Sequence, residues 1–206
     1  MFSFHVLTIG CFSRNKFWGE EDTKAYRNAL CTSTLIKGSE NNIIVDPSQS
    51  GEEMEQTLFN RSGMRPQDID TVFFTHHHGD HLVGADVFSH AKWYMSEIDI
   101  QTMKKGTPEE QKFADRVIPV FSDFVSGVMV VPLPGHTMGN TGLLFNTCDG
   151  RVLICGDAIM TRDFFRAECG YYNSVDFELS AKTIQKAAGM TDIIVPGHDN
   201  YFLVDG

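Results

Sequence analysis

The stretch Thr71-Val72-Phe73-Phe74-Thr75-His76-His77-His78-Gly79-Asp80-His81 decides the reading of this chain. An apolar, strand-like run feeds directly into a His-x-His-x-Asp-His spacing. Imidazole nitrogen and carboxylate oxygen are the donors that hold borderline divalent cations such as zinc, and Gly79 lets the backbone turn so that neighbouring donors converge. Four donors within six residues cannot all face one cation, so the pattern predicts two.

Working outward, three further strand-like runs each end in a glycine-containing loop with one donor. His136 lies in Pro134-Gly135-His136-Thr137 after Val128-Met129-Val130-Val131. Asp157 lies in Gly156-Asp157-Ala158 after Val152-Leu153-Ile154, and His198 in Pro196-Gly197-His198-Asp199 after Ile193-Ile194-Val195. Strand ends that deliver His or Asp through loops to one sheet edge are a common way for a rigid scaffold to place polar chemistry. His-rich runs also arise as tags, but this run is internal and has three partners downstream. Five of the eight histidines are used in this way. His5, His77 and His90 are expected to be structural: in an extended segment His77 points opposite to its neighbours, and the other two lie outside any cluster.

With these motifs the chain resembles the metallo-β-lactamase superfamily from its first strand to His198. The resemblance implies an α+β fold, a four-layer αβ/βα sandwich of two mixed sheets with external helices and the metals at one rim. It implies that His76, His78 and His136 bind one metal, that Asp80, His81 and His198 bind the other, and that Asp157 bridges both. Two divalent ions, zinc first with iron or manganese as alternatives, are the implied cofactors. Such a pair, about 3.5–4 Å apart, polarises a substrate oxygen and makes a bridging hydroxide available near neutral pH. Asp80 is the implied catalytic residue, orienting the nucleophile and taking its proton, and Asp46 the residue that orients a ligand from behind.

The expected activity is metal-dependent hydrolysis of a small ester, thioester, lactone or phosphodiester. Within the superfamily, β-lactamases lack the bridging aspartate, and glyoxalase-II-like enzymes carry C-terminal glutathione-binding helices, whereas this chain stops eight residues after His198. Similar lactonases place a tyrosine three residues after the bridging aspartate, where Met160 stands here; Tyr171 or Tyr172 is the candidate substitute, and Arg162 and Arg166 are candidate contacts for an anionic group. The alternative enzyme class is a mononuclear iron persulfide dioxygenase, which retains the same residues. Flavodiiron reductases, with Glu at the position of His78, fit less well, and a noncatalytic metal-binding module is weaker still because no ligand is missing.

The 206 residues, 42% hydrophobic, suit one domain spanning 1–206 with an ample core. A net charge of −10 argues against nucleic acid as partner, since phosphate-backbone affinity comes from Lys and Arg. The expected partner is a small-molecule substrate, with no membrane. No apolar run is long enough for a bilayer, and the first residues lack a basic start and long apolar stretch, so a cytoplasmic location is expected. The five cysteines, irregularly spaced and without Cys-x-x-Cys, read as reduced, with Cys155 in the core.

Along the chain, strands are predicted at Phe4–Ile9, Ser33–Ile36 and Asn42–Val45, and helices at 51–61, 82–88, 96–105, 108–113 and 174–188. Met54, Leu58 and Phe59 are the predicted buried face of the first helix; Phe177, Ile184 and Ala188 are that of the last. The long connection from Cys11 to Cys31, carrying Phe17, Trp18 and Tyr26, is a candidate lid.

Overall fold

The computed structural model describes residues 1–122 and 124–204. In chain order the elements are β1 (Ser3–Thr8), β2 (Ser33–Lys37), β3 (Asn42–Val45), α1 (Gly51–Ser62), β4 (Thr71–Phe73), β5 (Lys92–Met95), α2 (Glu97–Met103), α3 (Pro108–Ala114), β6 (Ile118–Pro119), β7 (Val128–Pro132), β8 (Thr141–Thr147), β9 (Gly150–Gly156), α4 (Arg162–Arg166), α5 (Phe177–Ala188), β10 (Ile193–Pro196) and β11 (Phe202–Leu203). They form two mixed sheets, one ordered β1-β2-β3-β4-β5-β6 and the other β11-β10-β9-β8-β7. In the first sheet β1, β2 and β3 pair antiparallel, and β3, β4, β5 and β6 parallel. In the second, β9 and β10 are parallel and the remaining pairs antiparallel.

The layering follows from strands that are apolar on both faces. Ile43, Val45 and Phe73 meet Leu143, Val152, Ile154, Ile193 and Val195 in a core between the sheets. Their chain neighbours Ile44, Val72 and Phe74 turn outward, where Met54 and Leu58 of α1 and Ile100 and Met103 of α2 cover them. On the far side Leu153, Cys155 and Ile194 turn outward beneath Ile184 and Ala187 of α5. Side chains alternate faces along a strand, so a continuous apolar run is what a sheet covered on both sides requires. The four-layer sandwich expected from the sequence is therefore present. No helix among the described residues is long and apolar enough to cross a membrane.

Local signals account for the helix ends. Gly63 adopts φ 73° and closes α1 on the Phe59 carbonyl, a left-handed cap that glycine adopts without a side-chain clash. Thr107 and Glu110 form a capping box on α3, and the Asp176 carboxylate accepts from the Leu179 N–H to start α5.

Three expectations need correction. Phe59 is exposed, beneath the Arg65 guanidinium, rather than part of the buried face of α1. Residues 82–88 form turns and a 3-10 segment at Ala85–Phe88, not an α-helix. The buried face of α5 is Ser180, Thr183, Ile184 and Ala187, with Phe177 54% exposed and Ala188 only partly covered. The reason for the last is the neighbour: α5 rests on the loop that carries His136, and small polar residues permit the close approach. Thr183 Oγ1 donates to the Pro134 carbonyl at 2.6 Å, and a Cβ on Gly135, whose φ is +137°, would lie 2.6 Å from the Ser180 backbone. Replacing Gly135 by alanine is therefore expected to destabilise the metal-free protein by about 1–3 kcal/mol. Urea unfolding measures it, and an unchanged midpoint would contradict this account of the packing.

Candidate metal centre

All the candidate ligands emerge at one rim. β4 runs straight into Thr75 and His76, and Thr75 accepts the Thr141 N–H on its carbonyl at 2.9 Å, joining the two sheets beside the site. His136 follows β7, Asp157 follows β9 and His198 follows β10. The Gly197 N–H donates to the Ile159 carbonyl and the His198 N–H to that of Met160, so the last two ligand loops are laced together.

The seven side chains form two groups. His76, His78, His136 and Asp157 bring donor atoms within 4.8 Å of one another, as do Asp80, His81 and His198. In the first group His78 Nδ1 lies 3.0 Å from His76 Nε2 and 2.9 Å from His136 Nε2. Asp157 Oδ2 is 3.3 Å from His136 Nε2 and 3.8 Å from His76 Nε2. Its other oxygen faces the second group, with Oδ1 at 3.2 Å from both His81 Nε2 and His198 Nε2. Asp80 Oδ2 completes that group, 3.5 Å from His198 Nε2.

These separations fit metal coordination. Tetrahedral bonds of about 2.0–2.1 Å place ligand atoms about 3.3 Å apart. His81 Nε2 and Asp157 Oδ1 are, moreover, buried without a hydrogen-bond partner. Buried polar atoms are normally satisfied, and a cation would satisfy both. The clusters are compatible with a binuclear metal site.

The ring orientations are set from behind. Asp46, buried and held at φ 50°, accepts from the Thr75 N–H at 2.8 Å and from the Thr75 hydroxyl at 2.7 Å, and its Oδ2 lies 2.9 Å from His81 Nδ1. That contact assigns the proton to Nδ1 and leaves Nε2 turned to the cluster. His198 Nδ1 lies 3.0 Å from the Leu30 carbonyl and 3.2 Å from that of Cys11, so the base of the 11–31 connection fixes this ring. Above it Phe12 stands edge-on to His198 at 5.9 Å and stacks with Trp18, which is 62% exposed.

Electrostatics divide the two groups. Burial, the largest influence, pushes His76 well below its ordinary value, lowers His78, and takes His136 down to about 4. At His81 burial is outweighed by Cys31, Asp157 and Asp46, and the imidazole is held well above its ordinary value. Since burial drives the Cys31 thiol up to about 12, the two carboxylates are the charges that act there near neutral pH. Burial is likewise outweighed at His198, chiefly by Asp157, and its pKa rises. Asp157 itself stays ionised, because the attraction of His198, His81 and His136 exceeds the effect of burial.

The other sequence candidates separate clearly. His77 stands outside both groups, with Nδ1 3.2 Å from Asp99 Oδ1, and the His90 ring meets the Ile69 carbonyl. Tyr171 is buried and donates its hydroxyl to the Arg14 carbonyl at 2.9 Å, while Tyr172 lies under the Arg14 guanidinium. Met160 packs with Phe12, Phe164 and Tyr171. The Arg162 guanidinium is 5.9 Å over the Phe202 ring, and Arg166 is exposed on α4. Cys155 is fully buried with its thiol raised by burial, as a core residue should be. Asp99, which the sequence did not single out, meets both His77 and Thr137; its only sequence signal was an acid in the first turn of a helix.

The family profile of the metallo-β-lactamase superfamily matches residues 27–198, and the chain belongs to that superfamily. It is similar to an N-acyl homoserine lactonase of Bacillus cereus, 25% identical over 191 residues, covering 86% of this chain and 75% of the relative. It is also similar to a hydroxyacylglutathione hydrolase of Psychromonas ingrahamii, 26% identical over 190 residues, covering 89% of this chain and 60% of that protein's length. Among solved structures, a quorum-quenching N-acyl homoserine lactone lactonase superposes with a TM-score of 0.70 at 20% identity, covering 98% of this chain and 97% of that one.

The pKa directions set the pH dependence of metal binding. A metal must displace a proton from His81 and His198 below their raised pKa values, whereas His76, His78 and His136 are already neutral at pH 7. Zinc titrations at about pH 8 and about pH 6 are expected to lose affinity at the Asp80–His81–His198 group first; equal loss at both groups would contradict the assignment.

Proposed function

We propose that this protein is a hydrolase with two divalent metal ions, zinc first, acting on a small ester, thioester, lactone or phosphodiester. His76, His78 and His136 hold one ion, Asp80, His81 and His198 the other, and Asp157 both. The observation that carries this reading is the Asp157 carboxylate, whose two oxygens face the two histidine groups separately. Ions held there supply a Lewis acid for a substrate oxygen and lower the pKa of bound water toward neutrality.

The protein's own part is positioning and proton transfer. Asp80 has a side chain 27% exposed, against 5% for Asp157, and so is the carboxylate with access to the open side. It accepts the proton of the attacking water, a role that needs an acceptor within hydrogen-bond reach of the nucleophile. Phe12 and Trp18 wall the His198 side. Tyr171 braces the same connection by donating its one hydroxyl proton to the Arg14 carbonyl, so that proton does not orient substrate. The N-acyl homoserine lactonase and hydroxyacylglutathione hydrolase names of the relatives support carbonyl substrates above phosphodiesters. The partner is a small molecule, and the proposed location is the cytoplasm.

Asp80→Asn is expected to lower kcat by about 10²–10⁴-fold on the best substrate of a panel of esters, thioesters, lactones and phosphodiesters. A kcat within a few-fold of wild type would remove Asp80 from the chemistry. Oxygen consumption on a persulfide, with no turnover on the panel, would replace hydrolase by iron dioxygenase.

A further inference from the structure

Asp99 is a carboxylate with 1% exposure that belongs to neither histidine group. It sits in the first turn of α2, where Ser96 caps the helix by accepting the Asp99 N–H. A Ser-x-x-Asp pattern would ordinarily send the acid back to the cap's own N–H. Here both carboxylate oxygens go elsewhere. Oδ1 lies 3.2 Å from His77 Nδ1, in contact but without a hydrogen bond, and Oδ2 accepts the Thr137 hydroxyl at 3.0 Å. His77 stands between the candidate ligands His76 and His78, and Thr137 follows His136. One buried carboxylate thus touches both loops that supply the three imidazoles of one group.

The two loops belong to different sheets, since His76 and His78 follow β4 of the six-stranded sheet and His136 follows β7 of the five-stranded one. The local backbone is shaped around the contact. A Cβ on Gly139 would lie 2.4 Å from Asp99 Oδ1 and 2.5 Å from the Ser96 hydroxyl, so the side chain at 139 must be absent for Asp99 to reach its partners. Burying a carboxylate is unfavourable unless it is paired and hydrogen-bonded, so its retention beside the ligand loops calls for a role.

We propose that Asp99 is a positioning residue that fixes the spacing between the His76/His78 loop and the His136 loop, and thereby sets the metal affinity of that group alone. The inference rests on the metal-site reading given above. No part of it requires Asp99 to touch metal or substrate.

The test is stepwise zinc affinity of the full chain, by competition with a chromophoric chelator, in wild type, Asp99→Ala, Asp99→Asn and Thr137→Val. The cobalt-substituted forms report ligand geometry through their visible absorption, and melting of the metal-free forms establishes that each variant is folded. Wild type is expected to bind two zinc ions. Asp99→Ala is expected to weaken one of them by roughly 10–100-fold with the other little changed, and to alter the cobalt spectrum of the weakened site. Asp99→Asn, which keeps an oxygen for Thr137, is expected to fall between, as is Thr137→Val. Should the alanine variant not fold, those two carry the test. Two zinc ions at unchanged affinity in the folded variants, or equal weakening of both, would overturn the inference alone. Fewer than two in wild type would overturn the metal-site reading and this inference with it.

Discussion

The Asp157 carboxylate lies at the point where two groups of imidazoles meet, its oxygens 3.2–3.3 Å from nitrogens of three of them, His81, His136 and His198. Nearly everything else at this rim can be understood as the means of holding that convergence. Such a cluster is unfavourable without a cation, since it concentrates metal-ligand atoms in a buried space and leaves His81 Nε2 and Asp157 Oδ1 facing each other at 3.2 Å without a hydrogen bond. The split in pKa directions follows from the same geometry: His81 and His198 each lie against two carboxylates and are favoured as cations, whereas His76 and His136 lie against Asp157 alone and burial keeps them neutral.

The sandwich supplies the rigidity this requires. β4, β9 and β10 lead into their ligand loops from between two cores, whereas β7, the edge strand before His136, is only partly covered, with Met129 60% exposed. Contacts outside the ligand set then orient individual rings. Asp46 acts on His81, the carbonyls of Cys11 and Leu30 on His198, and α5 grips the His136 loop through Thr183 and the Ser180 backbone. Partners of this kind are what tune a metal site beyond its direct ligands.

Much of this was legible in the sequence, for a physical reason. The ligand spacings are local and occur at the ends of apolar runs, so the seven donors could be singled out without tertiary information, while the sandwich and the grouping of the donors came through the family resemblance that those spacings carry. Asp46 was marked by the family resemblance, which places an acidic residue at that strand end, whereas the following Pro47 by itself indicated only a turn. What could not be read depends on partners distant in the chain. The buried face of α5 was placed on Phe177 because hydrophobicity alone marks a core face, whereas the true neighbour is a polar loop that selects Ser180 and Thr183. Asp99 was illegible because its local pattern is that of a helix cap, and only the fold brings His77 and Thr137 to it. The expected helix at 82–88 failed because the chain is pinned to Pro47 through the Gly84 N–H and turns in short steps after the ligand loop.

The central claim is that one carboxylate is shared between two metal ions. It is tested most directly by metal content per chain, by plasma mass spectrometry on protein purified without chelators or added metal, with Asp157→Ala alongside. The account predicts about two divalent ions per wild-type chain and a clear loss in the variant, which remains folded. A single iron per chain, or a variant that retains the full wild-type content, would contradict it.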